Sequence, residues 1–131
     1  MKHISFNPRF VNKAGNDLIP SKIHTIRQNY EYWKRFEGKE VALFTWEGKP
    51  YQPGSKHKVF CTKRIISVQA AEYANWPDVR FYFHARTCVY HGYLGAIAKN
   101  DGFASERELI KWFADYKPGK MAILHFTDFR Y

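Results

Sequence analysis

The chain has 131 residues, 45% of them hydrophobic and 18% aromatic, and sets 21 Lys and Arg against 12 Asp and Glu for a net charge of +9. That length makes one domain with a single core rather than two; two cysteines are too few for a disulfide scaffold, and no apolar run approaches a membrane span. A pI near 9.6 favours polyanions, most simply nucleic acid, without separating RNA from DNA, nucleotides or an anionic membrane surface.

In chain order, Met1–Asn12 is broken by His3, Asn7, Pro8 and Arg9, so it does not read as an export leader and the cytoplasm is the expected compartment. Phe6–Ala14 reads as a short helix after Pro8, ended by Gly15, with a loop from Asn16-Asp17 to Pro20. From Ile23 the alternation reads as a strand, with Ile23, Thr25 and Arg27 on one face and His24 and Ile26 on the other. Tyr30, Trp33 and Phe36 have helical spacing, and Val41–Trp46 reads as a strand. Glu47–Ser55 is a Pro- and Gly-bearing loop, and Lys58–Gln69 alternates as a second long strand. Ala70–Asp78 reads as a connection with an exposed Trp76, and Val79–Tyr93 as a β-favouring run bent near Arg86–Cys88.

Leu94–Lys99 reads as a helical turn stopped by Asn100-Asp101-Gly102. Ser105 followed by Glu108 fits a capping box, starting a helix with Leu109, Ile110, Trp112, Phe113 and Tyr116 on its apolar face. Pro118-Gly119 ends that helix, and Met121–Phe129 closes the chain as a strand. Short helices scattered among some six strands, with connections too short for a βαβ array, point to an α+β, mostly antiparallel, partly closed β-barrel with short flanking helices.

The stretch Ser21–Arg27 sets a lysine, a histidine, a hydroxyl and an arginine among β-branched residues. In a flat strand Lys22 and Thr25 point to opposite sides, so a bend at Pro20–Lys22 is needed before ammonium and hydroxyl can meet. An edge strand with solvated basic residues is the plain structural alternative. Asp101-Gly102 is equally a turn in which glycine supplies positive φ. Lys56, His57, Lys58, Lys63, Arg64, Arg80 and Arg86 offer phosphate contacts without sequence choice. Trp76, Tyr51, Tyr82, Tyr90 and Tyr93 are candidate stacking surfaces for unpaired bases, although most aromatics belong to the core. His84, Cys88 and His91 do not share one strand face, no recognised zinc spacing is present, and no cofactor or metal is implied.

Lys22-Ile23-His24-Thr25-Ile26-Arg27, Ala98–Ser105 with its Asn-Asp-Gly-Phe core, and Trp112-Phe113 with Tyr116 together resemble the ASCH domain of the PUA-like superfamily over nearly the whole chain. The resemblance implies a barrel-like fold with a cleft and a role in binding RNA or related nucleotides. Some members are amidohydrolases that deacetylate acetylcytidine with a lysine, a threonine and a glutamate. Lys22 and Thr25 match the first two, and Asp101 falls near the third with one methylene less. Other members have been regarded as ribonucleases. The segment between Gln69 and Tyr93 is longer here than in the small amidohydrolases.

The sequence is therefore read as a single ASCH-like domain over residues 1–131 that binds RNA or a modified nucleoside or nucleotide. Its cleft is expected around Lys22, Thr25, Asp101 and Arg27, with His24, Lys58, Lys63, Arg64 and Trp76 as further ligand contacts. Two alternatives stand beside it: hydrolysis of an acylated nucleoside with Lys22, Thr25 and Asp101 as catalytic residues, and an adaptor whose basic surface meets a protein.

Overall fold

A computed structural model describes residues 1–85, 88–91 and 94–131, with side chains described outside residues 84–93. Its strands are β1 (Lys2–Ser5), β2 (His24–Gln28), β3 (Glu40–Glu47), β4 (Lys56–Arg64), β5 (Ser67–Ala74), β6 (Arg80–Ala85), β7 (Cys88–His91) and β8 (Gly119–His125). The helices are α1 (Tyr30–Lys34), α2 (Leu94–Asn100) and α3 (Glu106–Phe113). They build an α+β fold on two sheets, ordered β1-β3-β4 and β2-β8-β5-β6-β7, with β1 parallel to β3 and the other pairs antiparallel.

Both sheets are open, which corrects the partly closed, PUA-like barrel expected from the sequence. Among the described residues no ladder joins β1 to β2, the edges that closure would bring together. A side chain crosses there instead: Arg27 Nη2 on β2 donates to the Ser5 carbonyl on β1 at 2.5 Å. A guanidinium and the cleft described below fill the space that a strand-to-strand ladder needs. At the opposite corner the sheets share backbone, because the Ile65 N–H bonds Lys39 O and the Ile66 N–H bonds His125 O.

That corner also explains why the run Lys58–Gln69 is two strands. Ile65 and Ile66 are both apolar, so the alternation carries no visible break, yet Ile65 is fully buried and Ile66 exposed. The chain changes sheets between them. β5 then continues to Ala74, through most of the segment read as a connection, with Val68, Ala71 and Tyr73 buried on its core face. The expected helix at Phe6–Ala14 shrinks to a 3-10 turn at Pro8–Phe10, capped by the Asn7 side chain.

One core joins the layers. Ile4, Val41 and Leu43 of the small sheet meet Val68, Phe81, Met121 and Ile123 of the large one, under Ile97 of α2 and Leu109 and Phe113 of α3. The α3 helix starts where the capping signal put it: Ser105 Oγ accepts from the Glu108 N–H at 3.2 Å. The return bond goes one residue further out, since Glu108 Oε2 accepts from the Ala104 N–H at 2.8 Å and from Arg9 at 3.1 Å. Among the described residues no helix is long and apolar enough to cross a membrane.

Candidate functional site

Two distant pieces of sequence meet to form the site. Lys22 and Asp101 pair as an isolated antiparallel bridge, and the Ile23 N–H bonds Asn100 O at 2.8 Å. This backbone junction lies just before β2 and holds Lys22 against Asp101. It brings the Lys22 Nζ to 2.9 Å from Asp101 Oδ1 and 2.8 Å from Asp101 O. Both side chains are buried, with 3% and 5% of their surfaces exposed.

Gly102, at φ +87°, lets the chain turn directly over the lysine stem. Phe10 lies beneath the ammonium, with Nζ 4.4 Å from its ring centroid, and Phe6 is 5.8 Å away. Such faces attract a cation whose water has been stripped away.

The electrostatics of the pair follow from burial opposed by proximity. For Asp101 burial favours the neutral acid, but the Lys22 charge and the His24 hydrogen bond outweigh it and hold the carboxyl below the usual carboxylate range. For Lys22 burial is the larger effect; Asp101 opposes it, Arg27 and Arg9 add to it, and the amine falls below its ordinary value.

Lys22, Thr25, Arg27 and Asp101 line one open cleft of about 640 Å³, within the size range of small-molecule sites. The rest of its wall is strongly aromatic: Phe6 and Phe10, Trp46 and Tyr51 from the β3–β4 hairpin, Phe103, and Trp112, Phe113 and Tyr116 on and after α3. Gln28 adds an amide. Thr25 Oγ1 accepts from Arg27 Nε at 3.3 Å, so its own proton is left to donate. Arg27 is half-buried, and its guanidinium stands 5.0 Å from the Phe6 ring centroid.

No family model matches this chain, and no curated protein or solved structure matches it either.

Of the other expected ligand contacts, His24 is fully buried behind Asp101, with Nδ1 at 3.3 Å from Asp101 Oδ1, and does not line the cleft. Lys58 lies exposed on β4. Lys63 is paired to Asp17 at 2.9 Å, and Arg64 Nη1 donates to Gly38 O at 2.6 Å. Trp76 is 80% exposed on the β5–β6 connection. None of these four lines the cleft. The candidates Arg86 and Tyr93, and the side chains of His84, Cys88, Tyr90 and His91, lie outside the described residues. Among the described residues no group of three or more potential metal ligands converges.

The residues that sequence reasoning missed are mostly the aromatic walls. Phe6 and Phe10 fall in the helix expected at Phe6–Ala14, Trp46 in the strand Val41–Trp46, Phe103 in the second motif and Trp112 on the apolar face of the capped helix. The available signal was the 18% aromatic content itself.

Proposed function

We propose that the cleft binds a nucleotide-derived ligand, either a free nucleotide or an unpaired nucleotide of RNA. The observation that carries this reading is the joining, in one cavity, of aromatic faces with a buried Lys22–Asp101 pair, Arg27 and Thr25. Flat apolar walls suit a heterocyclic base, which stacks favourably on aromatic rings. The polar floor supplies N–H and O–H donors for base oxygens or phosphate. The resemblance of the two motifs to ASCH domains supports the same class of ligand, and the +9 charge supports rapid encounter with it.

Trp46 and Trp112 line the cleft, so tryptophan fluorescence reads its occupancy. Titration with the four ribonucleoside 5′-monophosphates and with short single-stranded RNA is expected to quench emission, and affinity for RNA is expected to fall steeply with salt. Arg27→Ala weakens binding more than removal of an exposed lysine such as Lys58. Absence of any response from nucleotides and RNA at low salt overturns the reading.

A second reading, hydrolysis of an acylated nucleoside, draws support from the depressed Lys22 amine and the Thr25 hydroxyl lining the same cleft. Here Lys22 as free amine would take the Thr25 proton while Thr25 Oγ1 attacks the acyl carbon. Lys22 would then return the proton to the departing base nitrogen, and water would free the acid from the Thr25 ester. Binding ranks first because each partner is otherwise engaged: Lys22 by Asp101 and Thr25 by Arg27. Chromatography of acetylcytidine incubated with the protein decides it; intact substrate across neutral to alkaline pH removes the hydrolase reading.

A further inference from the structure

Behind the Lys22–Asp101 pair lies a chain of polar groups, buried at His24 and half-buried at Asn100 and Tyr131, that the ligand reading does not use. Asn100 Nδ2 donates to the Tyr131 hydroxyl at 3.2 Å. The same hydroxyl is 2.6 Å from His24 Nε2, and His24 Nδ1 is 3.3 Å from Asp101 Oδ1. The direction of these bonds is set from the carboxylate end. The Asp101 carboxylate can only accept, so His24 carries its N–H at Nδ1, directed at Asp101. Nε2 of the neutral ring then accepts the Tyr131 proton, while the Tyr131 oxygen accepts from Asn100. Burial, eased by Asn100 and reinforced by Asp101, raises the Tyr131 phenol well above its ordinary value, so the proton stays on the oxygen.

Tyr131 is itself firmly seated. Its ring stacks on Phe83 at 4.8 Å, its N–H donates to Gln69 Oε1 at 3.1 Å, and its carbonyl accepts from Gln69 Nε2 at 2.8 Å. The chain therefore runs from a fixed phenol, through an imidazole of fixed tautomer, to the carboxylate that grips Lys22. An ammonium has three N–H donors, and Asp101 takes two of them from Lys22.

We infer that Tyr131 and His24 are positioning residues that hold the Asp101 carboxylate in one orientation, so that Lys22 presents its remaining N–H to an oxygen acceptor of the ligand in the cleft. The part of this concerning the ligand rests on the reading of the cleft as a nucleotide site. The part concerning Asp101 does not, and the two are separable by experiment.

The Lys22 side chain is followed through its 13Cε resonance in a pH titration, without ligand, in wild type, Tyr131→Phe, His24→Leu and His24→Asn. Tyr131→Phe keeps the stacked ring and deletes only the hydroxyl. With Asp101 released, Lys22 loses part of the interaction that supports its charge, and its midpoint is expected to move down by about one pH unit. His24→Leu behaves likewise, whereas His24→Asn, which keeps an N–H donor near the Nδ1 position, restores most of the wild-type midpoint. Affinity for the 5′-monophosphates is expected to fall about fivefold in Tyr131→Phe, in step with the Lys22 change.

An unmoved Lys22 midpoint in folded Tyr131→Phe overturns the inference, whether or not affinity changes. Should His24→Leu fail to fold, Tyr131→Phe decides alone. If wild type binds no monophosphate, the nucleotide reading falls, and the Lys22 titration still judges the relay.

Discussion

Gly102 sits against the stem of Lys22 so closely that a Cβ at position 102 would stand 3.0 Å from Lys22 Cβ, 3.2 Å from Lys22 Cδ and 3.1 Å from Phe10 Cδ1. The glycine is doubly required, because its φ of +87° is also one that L side chains resist. Gly102→Ala is expected to destabilise the protein by about 1–3 kcal/mol from backbone strain, and to shift the Lys22 titration because the stem must move. Chemical denaturation and the Lys22 13Cε resonance check the two effects; an alanine variant as stable as wild type would mean that the turn has room to relax.

The Lys22–Asp101 pair is expected to be costly to break and cheap to replace. Removing one partner strands a buried charge, for which about 3–5 kcal/mol is typical. Lys22→Met and Asp101→Leu should each approach that loss. The combination of Lys22→Met with Asp101→Leu should lose much less than the sum, since neither charge is then left alone. A double-mutant cycle in urea measures the coupling, and additive losses would contradict a pair held together as tightly as 2.9 Å at 3% and 5% exposure implies.

How much of this was legible beforehand differs between site and fold. Lys22, Thr25, Arg27 and Asp101 were nameable because two short motifs carry them, and the structure brings all four to one cleft. What joins the motifs is backbone pairing between Lys22-Ile23 and Asn100-Asp101, 79 residues apart for Lys22 and Asp101, and nothing local encodes a partner so distant. A strand was legible where a break bounds it, as Gly38-Lys39 does before Glu40–Glu47, and a strand end was illegible where apolar residues run on without a break, as at Ile65-Ile66. Barrel closure was the largest error. Whether two edges pair or stand apart depends on what fills the gap, and Arg27 reads equally as a solvated strand residue or as the group that spans to Ser5.

The α3 helix weights packing and ligand contact differently at adjacent positions. Both residues reach the cleft wall, but Phe113 is 1% exposed and packs edge-on to Phe81 and Tyr116, whereas Trp112 is 38% exposed and meets Phe10 and Phe103. Phe113→Ala is expected to cost about 3–5 kcal/mol through the cavity it leaves. Trp112→Ala should cost clearly less, because half-exposed surface is less completely withdrawn from water, while weakening nucleotide binding more than any other single aromatic truncation on α3. Melting curves and fluorescence titrations, read from Trp46 in the variant, distinguish the two roles. Equal stability losses would place Trp112 in the core after all.

His125 sets an acid limit on the fold. The ring is fully buried, Nε2 lies 3.0 Å from Gln69 Oε1, and Nδ1 has no hydrogen-bond partner among the described residues. A second proton would place a charged N–H against apolar surroundings and beside His24 and Arg130, so burial first, then these two neighbours, lower the pKa from 6.5 to about 3. The unfolded chain binds a proton at this residue below about pH 6.5, whereas the folded chain refuses it until about pH 3. The unfolded state thus holds more protons throughout that interval, and stability must fall as pH falls through it, by at most about 1.4 kcal/mol per pH unit from this group. Its contribution levels off about one pH unit above 6.5. The carboxylates held low in the fold, Asp17, Glu37, Asp101 and Glu108, begin to add their own losses about one pH unit above their ordinary values of 3.8 and 4.5. The interval from pH 6.5 to about 5.5 therefore lies above their range and reports on histidine. Urea midpoints measured across it should decline for wild type and flatten in His125→Gln, which keeps a donor for Gln69 but cannot titrate. A wild-type midpoint that holds level over the same interval would show that His125 reaches a proton acceptor or water in solution, and is not sealed in the core.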